Sequence, residues 1–337
     1  MIVKTVGLDI AKNVFQVHGV TAEGRTAVAR QLKRNQVLAF FYKLPPCLVA
    51  IEACASSHYW ARELQKLGHE VKLIPAQYVK PFVRRSKTDA NDAAAICDAV
   101  LRPDMPTVAI NTPEQQAIQM VHRIRQRLMT TRTALINQMR GLLGEYGIVF
   151  PARVAAFKDG MRNCIAAGIG SLPALARELT EAMWQELGHV EARIAEVDNK
   201  IKRIAAEDER CARLLEVPGV GPVIATALVA AVDNARRFRN SRCMAASFGL
   251  TPHEHSSGGK QKLLGISKRG DGYLRWLLIQ GARSILRFAS RREDAISRWA
   301  NALAIRRGAN IAAVALTNKL SRIAWSILAK NESFHWR

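Results

Sequence analysis

Four carboxylates stand where an ionised side chain is costly or conspicuous. Asp9 closes the apolar run "TVGLDI", Glu52 lies inside "CLVAIEAC", and Asp89 and Asp92 open the helical pattern "SKTDANDAAAICDAV". An ionised carboxylate in such a run is strongly unfavourable unless it is paired or holds a metal. Taken singly, each has a plain reading: a strand-end carboxylate turned to water, or Asp89 as the N-cap of its helix. Those readings do not account for four together in a basic chain. Asp89 and Asp92, three residues apart, share one face near the positive end of a helix. An all-oxygen ligand set of this kind suits Mg²⁺ or Mn²⁺ and the in-line phosphoryl transfer that such ions support.

A second stretch offers a nucleophile. "HEHSSGGKQKLLGISKRGDG", from His253 to Gly272, places Ser256 and Ser257 among Lys260, Lys262, Lys268 and Arg269, with Gly258 and Gly259 permitting close backbone approach. A hydroxyl attacks phosphorus when it is positioned and when cations neutralise charge developing on the phosphoryl oxygens. In isolation the stretch reads equally well as a solvated loop, and a surface His such as His253 or His255 is more often incidental than a base. Upstream, "LLEVPGVGPVIATALVAAV" sets Gly219 and Gly221 between two apolar helical stretches. That pattern resembles a helix-hairpin-helix turn, whose backbone N–H groups can reach a phosphate; the plain alternative is a tight turn between core helices.

The elements that must carry these groups fall into two regimes. The first hundred residues read as strand-like runs up to Asp9, from Val14 to Val20 and from Arg25 to Gln31. Helical stretches at Gln36–Leu44 and Tyr59–Leu67 then alternate with "CLVAIEAC" and "EVKLIP", as in a mixed α/β sheet. Beyond Pro113 the pattern turns helical. Met183, Leu187, Val190, Ile194, Val197, Ile201 and Ile204 form a heptad seam, with a looser one from Ile118 to Leu143, and "AAGIGSLPAL" breaks the chain between them. The seam fits a helical hairpin packed within the chain as well as it fits a dimerisation arm.

Composition narrows the class. The 337 residues carry 50 Lys and Arg against 28 Asp and Glu, a formal charge of +22, and from Asn234 onward 20 Lys and Arg face 5 acidic residues. The cations are interleaved with Leu, Ile, Trp and Phe, so the basic third is a folded surface for a polyanion rather than a tail. Six scattered cysteines without a CxxC pair argue against zinc. The N-terminus shows no signal-peptide architecture and no apolar run reaches bilayer length, so a cytoplasmic protein with no membrane partner is expected.

Taken in order, "GLDIAK", "IEAC", "KTDANDA", a helical middle, "VPGVGPVIATAL" and "FGLTPHEHSSGGKQKLLGISKRGDGYLR" resemble the transposases of insertion-sequence family 110, in its 1111-like subgroup. The resemblance covers nearly the whole chain. It implies an α/β plus α architecture: an RNase H-like (RuvC-like) DEDD nuclease domain at 1–106, a helical coiled-coil region at 107–207, and a mostly helical transposase domain with helix-hairpin-helix and serine loop at 208–337. It further implies a metal-binding tetrad at Asp9, Glu52, Asp89 and Asp92 for Mg²⁺ or Mn²⁺, and an essential serine. The family serine follows the "GLxP" proline by five and precedes glycine, which selects Ser257 over Ser256. Gly219, Gly221, Lys260, Lys262, Lys268 and Arg269 are the expected nucleic-acid contacts. The partners implied are target and donor double-stranded DNA, a structured noncoding guide (bridge) RNA, and further copies of the chain as dimer or tetramer. The expected reaction cleaves, exchanges and rejoins DNA through a covalent phosphoserine; a hydrolytic junction-resolving nuclease is the alternative.

Overall fold

The computed structural model describes residues 2–84, 86, 88–169, 172–232 and 234–334. It divides into two compact units, Met1–Pro113 and Glu114–Arg337.

In the first unit three strands, β1 (Thr5–Ile10), β2 (Val14–Val20) and β3 (Thr26–Lys33), form an antiparallel meander. There follow α1 (Val37–Tyr42), β4 (Leu48–Glu52), α2 (Ser57–Lys66), β5 (Glu70–Ile74), α3 (Ala76–Val79) and α4 (Asp89–Val100). The sheet order is β3-β2-β1-β4-β5, with β4 parallel to both β1 and β5. Successive side chains point to opposite faces, and the near-continuous burial of β1 and β4 shows that both faces of the central strands are covered. Val6 and Leu8 of β1 and Val49 and Ile51 of β4 join Phe15, Phe41, Trp60 and Leu64 in one core. Ala50 of β4 faces the other way, into a second core with Ile96 and Ala99 of α4. The unit continues past Pro106, because the Val108 N–H donates to the Leu73 carbonyl (2.8 Å) and the Arg62 guanidinium to the Asn111 carbonyl (2.6 Å).

Helix α4 lies directly on β1 because residue 7 has no side chain. A Cβ built on Gly7 would stand 2.1 Å from the Ala93 carbonyl oxygen and 2.6 Å from the Cys97 nitrogen. Gly7→Ala is therefore expected to push α4 off the sheet, destabilising the chain by about 1–3 kcal/mol as other overpacked cores are, and to lower activity with it. The control is Gly141→Ala, a helical site where the added methyl meets nothing within 4 Å and helix propensity favours alanine. Thermal melts of the two variants check this: equal melting temperatures would show that the close approach carries no weight.

The second unit begins with α5 (Pro113–Gly144), α6 (Val154–Ala166) and α7 (Ala174–Glu207). The break expected at Ala166–Leu175 contains positions 170 and 171, which lie outside the described residues. The heptad side chains Val190, Ile194, Val197 and Ile201 are buried against Leu128 and Leu135 of α5, and Arg125 donates to Asp198 across the helix pair at 2.6 Å. These side chains are occupied within the chain, so the seam by itself supplies no argument for assembly with a second copy.

The chain then folds through α8 (Glu209–Leu215), α9 (Pro222–Ala231), α10 (Ser241–Ser247), the hairpin β6 (Pro252–Glu254) and β7 (Leu263–Ile266), α11 (Gly272–Leu286), α12 (Ala295–Arg307) and α13 (Ala309–Lys330). One core gathers α8 to α13, with Leu228, Met244, Leu278, Ala300, Leu316 and Leu320 among its members. Among the described residues no helix is long and apolar enough to cross a membrane.

Candidate active site and nucleic-acid interface

Strand pairing brings two of the carboxylates side by side. Leu8 pairs with Ile51 in the parallel β1–β4 register, so Asp9 and Glu52, each one residue further on, occupy neighbouring strand ends. By period-two alternation Asp9 shares the face of Gly7, and Glu52 that of Ala50, which is the face covered by α4. Cys97 of α4 lies near Thr5 and Ala93 near Gly7. Helix α4 therefore runs against the direction of β1 and presents its first turn, with Asp89 and Asp92, toward the Asp9 end. The N-cap is Thr88, whose hydroxyl accepts from the Asn91 N–H at 3.3 Å. Asp89 is thus the first helical residue, and capping does not explain it.

Asp9 senses the other three carboxylates. Burial, followed by the charges of Asp89, Asp92 and Glu52, pushes the Asp9 carboxyl from the ordinary 3.8 to about 6, against the opposing hydrogen bond from the Ile10 N–H. The Cys54 thiol next door is also raised, by burial first and then by Glu52 and Asp9. A cluster of repelling carboxylates, all hard oxygen donors on rigid elements, is relieved by protons or by a divalent cation. The donor chemistry fits such an ion. As the side chains stand, no group of three or more His, Cys, Asp or Glu among the described residues is gathered closely enough to hold one.

The serine stretch is a hairpin. The His255 N–H donates to the Lys262 carbonyl and the Lys260 N–H to the Ser257 carbonyl, both at 3.0 Å, closing a two-residue turn at Gly258 and Gly259. Both glycines take positive φ, 56° and 75°, the backbone that a type I′ turn demands and that side chains resist. The two serines differ in occupation. Ser256 Oγ donates to Glu254 Oε1 at 2.5 Å and accepts from the Lys262 N–H at 3.2 Å, tying the strands together. The Ser257 hydroxyl, at the exposed tip, has no hydrogen-bond partner among the described residues.

Lys260 and Lys262 flank this tip. Lys268 and Arg269 do not: the Lys268 N–H pairs with the Gly249 carbonyl at the base of the hairpin, which lies well down the strands from the Ser257–Lys260 pair at the tip. His253 and His255 stack with ring centroids 4.7 Å apart.

The glycine turn before α9 has a packing explanation, in keeping with the plain alternative of a tight turn between core helices. A Cβ on Gly219 (φ 79°) would lie 2.7 Å from the Gly281 carbonyl oxygen of α11, and one on Gly281 would lie 2.4 Å from the Gly219 oxygen. Gly221, at the N-cap of α9, faces open space. What the sequence did not reveal was the buried tie that fixes α11. His122 of α5 stands 3.1 Å from the Tyr273 hydroxyl and 3.0 Å from Thr226 of α9. Burial, then the charge of Arg125, lowers its pKa to about 4, so it stays neutral. A lone His in an apolar helix face carries no sequence signal for such a role.

A sheet of order β3-β2-β1-β4-β5 with carboxylates at the ends of β1 and β4 and on the covering helix is that of an RNase H-like DEDD domain. Joined to a basic helical unit, it defines an enzyme that processes DNA. A DEDD-type IS110 profile described as "Transposase" matches residues 6–148, and one described as "Transposase IS116/IS110/IS902 family" matches residues 211–297. The chain is 50% identical to the "Probable family 20 transposase" of Pseudomonas aeruginosa over 330 residues, 98% of each chain. It is 40% identical to the "Transposase for insertion sequence element IS1111A" of Coxiella burnetii over 98% of this chain and 91% of that one. With the "Transposase for insertion sequence element IS1328" of Yersinia enterocolitica the identity is 38% over 98% of each. The chain belongs to the IS116/IS110/IS902 family of insertion-sequence transposases.

Proposed function

We propose that this transposase cleaves and rejoins DNA through a covalent link between phosphorus and Ser257 Oγ, with target and donor chosen by a structured noncoding RNA. The observation that carries the reading is the contrast within the hairpin. Ser256 is engaged by Glu254 and Lys262, whereas the Ser257 hydroxyl, unpartnered among the described residues, projects from a glycine turn opposite Lys260. In the proposed step the Ser257 oxygen forms a bond to the scissile phosphorus as the bond to one deoxyribose oxygen breaks. The Ser257 hydroxyl gives up its proton as it attacks and the leaving oxygen takes one up, so no net proton is consumed, and the phosphodiester energy is kept for rejoining.

Asp9, Glu52, Asp89 and Asp92 would hold Mg²⁺ or Mn²⁺, which when bound supplies charge neutralisation at the phosphoryl oxygens. Lys260 and Lys262 contribute positive charge beside the hydroxyl, and Lys268 and Arg269 grip backbone phosphate further down the hairpin. Gly221 at the start of α9 is the end of the helix-hairpin-helix turn open to a phosphate, with Gly219 shaping that turn. The three-part division at about 106 and 207 is the domain scheme proposed on family resemblance. Assembly as a dimer or tetramer is proposed on the same ground.

The test is to purify the chain from cells carrying its own flanking DNA, sequence any RNA that copurifies, and supply that RNA with target and donor duplexes. A defined structured RNA and a protein–DNA adduct that survives denaturation are expected. Robust cleavage with no adduct would replace the proposal with metal-dependent hydrolysis, and recombination without RNA would remove the guide.

A further inference from the structure

The hairpin that carries Ser257 also forms one wall of an open groove in the second unit, ≈ 1490 Å³ in volume and lined on its other sides by residues of α10, α12 and α13. We propose that this groove holds unpaired bases of the DNA strand being processed, stacked against Trp299, with the adjoining phosphates on Lys319, Arg322 and Lys268. The proposal rests on the chain's acting on DNA and is independent of which group attacks phosphorus.

Four features of the groove point to this occupant. Its charge is of one sign: Lys268, Lys319, Arg322 and Lys330 line it, and no Asp or Glu does among the described lining residues. It leaves apolar surface to water, with Trp299 38%, Leu264 47% and Ile311 56% exposed, a combination typical of surfaces that bind partners. The Lys319 ammonium lies over the face of the Trp299 ring, 4.8 Å from its centre; a base that takes this face displaces the ammonium toward its own phosphate, pairing a cation with the flat aromatic surface. His253 Nδ1, on the hairpin wall, is buried without a hydrogen-bond partner; such an orphan is uncommon in proteins, and a small turn of the ring would offer it to the polar edge of a base.

An intact duplex could supply the phosphates but not the stacking, because its base faces are already covered by their neighbours; only an unpaired base can meet the indole. The cavity has room for more than one nucleotide, since pockets for drug-sized ligands occupy about 300–1,000 Å³. Its hairpin wall leads from Lys268 and Ile266 at the base toward Ser257 at the tip. A strand lying along that wall would be drawn out of the double helix where the serine stands.

The test is binding by the full chain in chelator, where cleavage does not intervene. Fluorescence anisotropy compares a short labelled single-stranded DNA, the blunt duplex of the same sequence, an abasic strand and the matching RNA. Trp299→Ala is expected to weaken single-strand binding by about tenfold or more, the size of one lost base–aromatic stack, while leaving duplex binding unchanged. Trp299→Phe should restore most of the loss. The abasic strand should not distinguish Trp299→Ala from the parent, and 2-aminopurine placed in the strand should be quenched by the parent protein. Lys319→Ala and Arg322→Ala should each flatten the salt dependence.

Equal single-strand affinity in the parent and Trp299→Ala proteins would overturn the proposal. So would a duplex that binds as tightly as the single strand, an RNA strand that binds more tightly than its DNA counterpart, or an acidic peptide that displaces the strand with no penalty for abasic sites. Should Trp299→Ala fail to fold, the 2-aminopurine signal and the abasic comparison on the parent protein decide the matter. Failure of the serine chemistry would show instead as a missing adduct with this binding intact.

Discussion

Ser257→Ala is expected to abolish the covalent protein–DNA adduct and to lower recombination by roughly 10⁴-fold or more, the scale seen when a nucleophile is removed from an otherwise intact site. Ser256→Ala supplies the contrast. Its hydroxyl ties Glu254 to the Lys262 backbone, and losing one such exposed link costs about 1 kcal/mol. The adduct should therefore still form, at a rate reduced several-fold by a looser hairpin. Both variants would be assayed with trapped DNA substrates on denaturing gels. An adduct from Ser257→Ala, or its loss from Ser256→Ala alone, would transfer the nucleophile to the neighbouring residue.

Asp9→Ala and Asp92→Ala are expected to remove divalent-dependent strand cleavage by about 10³-fold or more, while nucleic-acid binding stays close to that of the parent. The reason for the separation is charge: 20 of the 50 Lys and Arg lie beyond residue 233, against only 5 acidic residues there. Full activity in chelator would sink the assignment.

The raised Asp9 carboxyl adds a pH dependence whose sign follows from burial and from Asp89, Asp92 and Glu52. Because its pKa rises from 3.8 to about 6 on folding, the folded chain holds this proton more tightly than the unfolded chain does. Without a divalent ion, stability is therefore lost as pH climbs from about 4 through 6. Asp9→Asn should then melt higher than the parent at pH 7.5 in chelator, and the difference should vanish near pH 4. Adding Mn²⁺ should raise the parent's melting temperature at pH 7.5 and do little at pH 5, where the proton occupies the site. Melting curves with the same Mn²⁺ shift at both pH values would show that these carboxylates do not bind the ion.

Much of this site was readable because its residues violate the pattern around them. Asp9 and Glu52 interrupt the apolar runs that also located β1 and β4, and Asp89 and Asp92 stand at helix spacing. Other features were invisible because their cause lies elsewhere in the chain. Gly7 looks like any small residue in a strand until Ala93 and Cys97 are found against it, some ninety positions away. Gly219 read as a phosphate grip, yet its missing side chain is also required by Gly281 of α11. The plain reading of Asp89 as the N-cap of α4 gives way to Thr88, whose hydroxyl caps the helix one residue earlier, a choice set by backbone torsions that composition does not encode.

By itself the amino-acid order determined the chemistry on offer: four oxygen donors, a pair of hydroxyls beside glycines and lysines, and a basic third suited to a polyanion. These follow from side-chain type and local periodicity. Tertiary structure alone decided which groups meet. Parallel pairing of Leu8 with Ile51 sets Asp9 beside Glu52, and the bare face of Gly7 lets α4 bring Asp89 and Asp92 near enough to repel Asp9's charge. The heptad seam, ambiguous between a partner and its own chain, is buried on α5. Ser256 and Ser257, indistinguishable in type and separated by one bond of backbone, are distinguished by Glu254 and Lys262. Residue identity sets what a group can do, whereas register and packing set its neighbours, and charge repulsion and hydrogen bonding act only over the few ångströms that folding arranges.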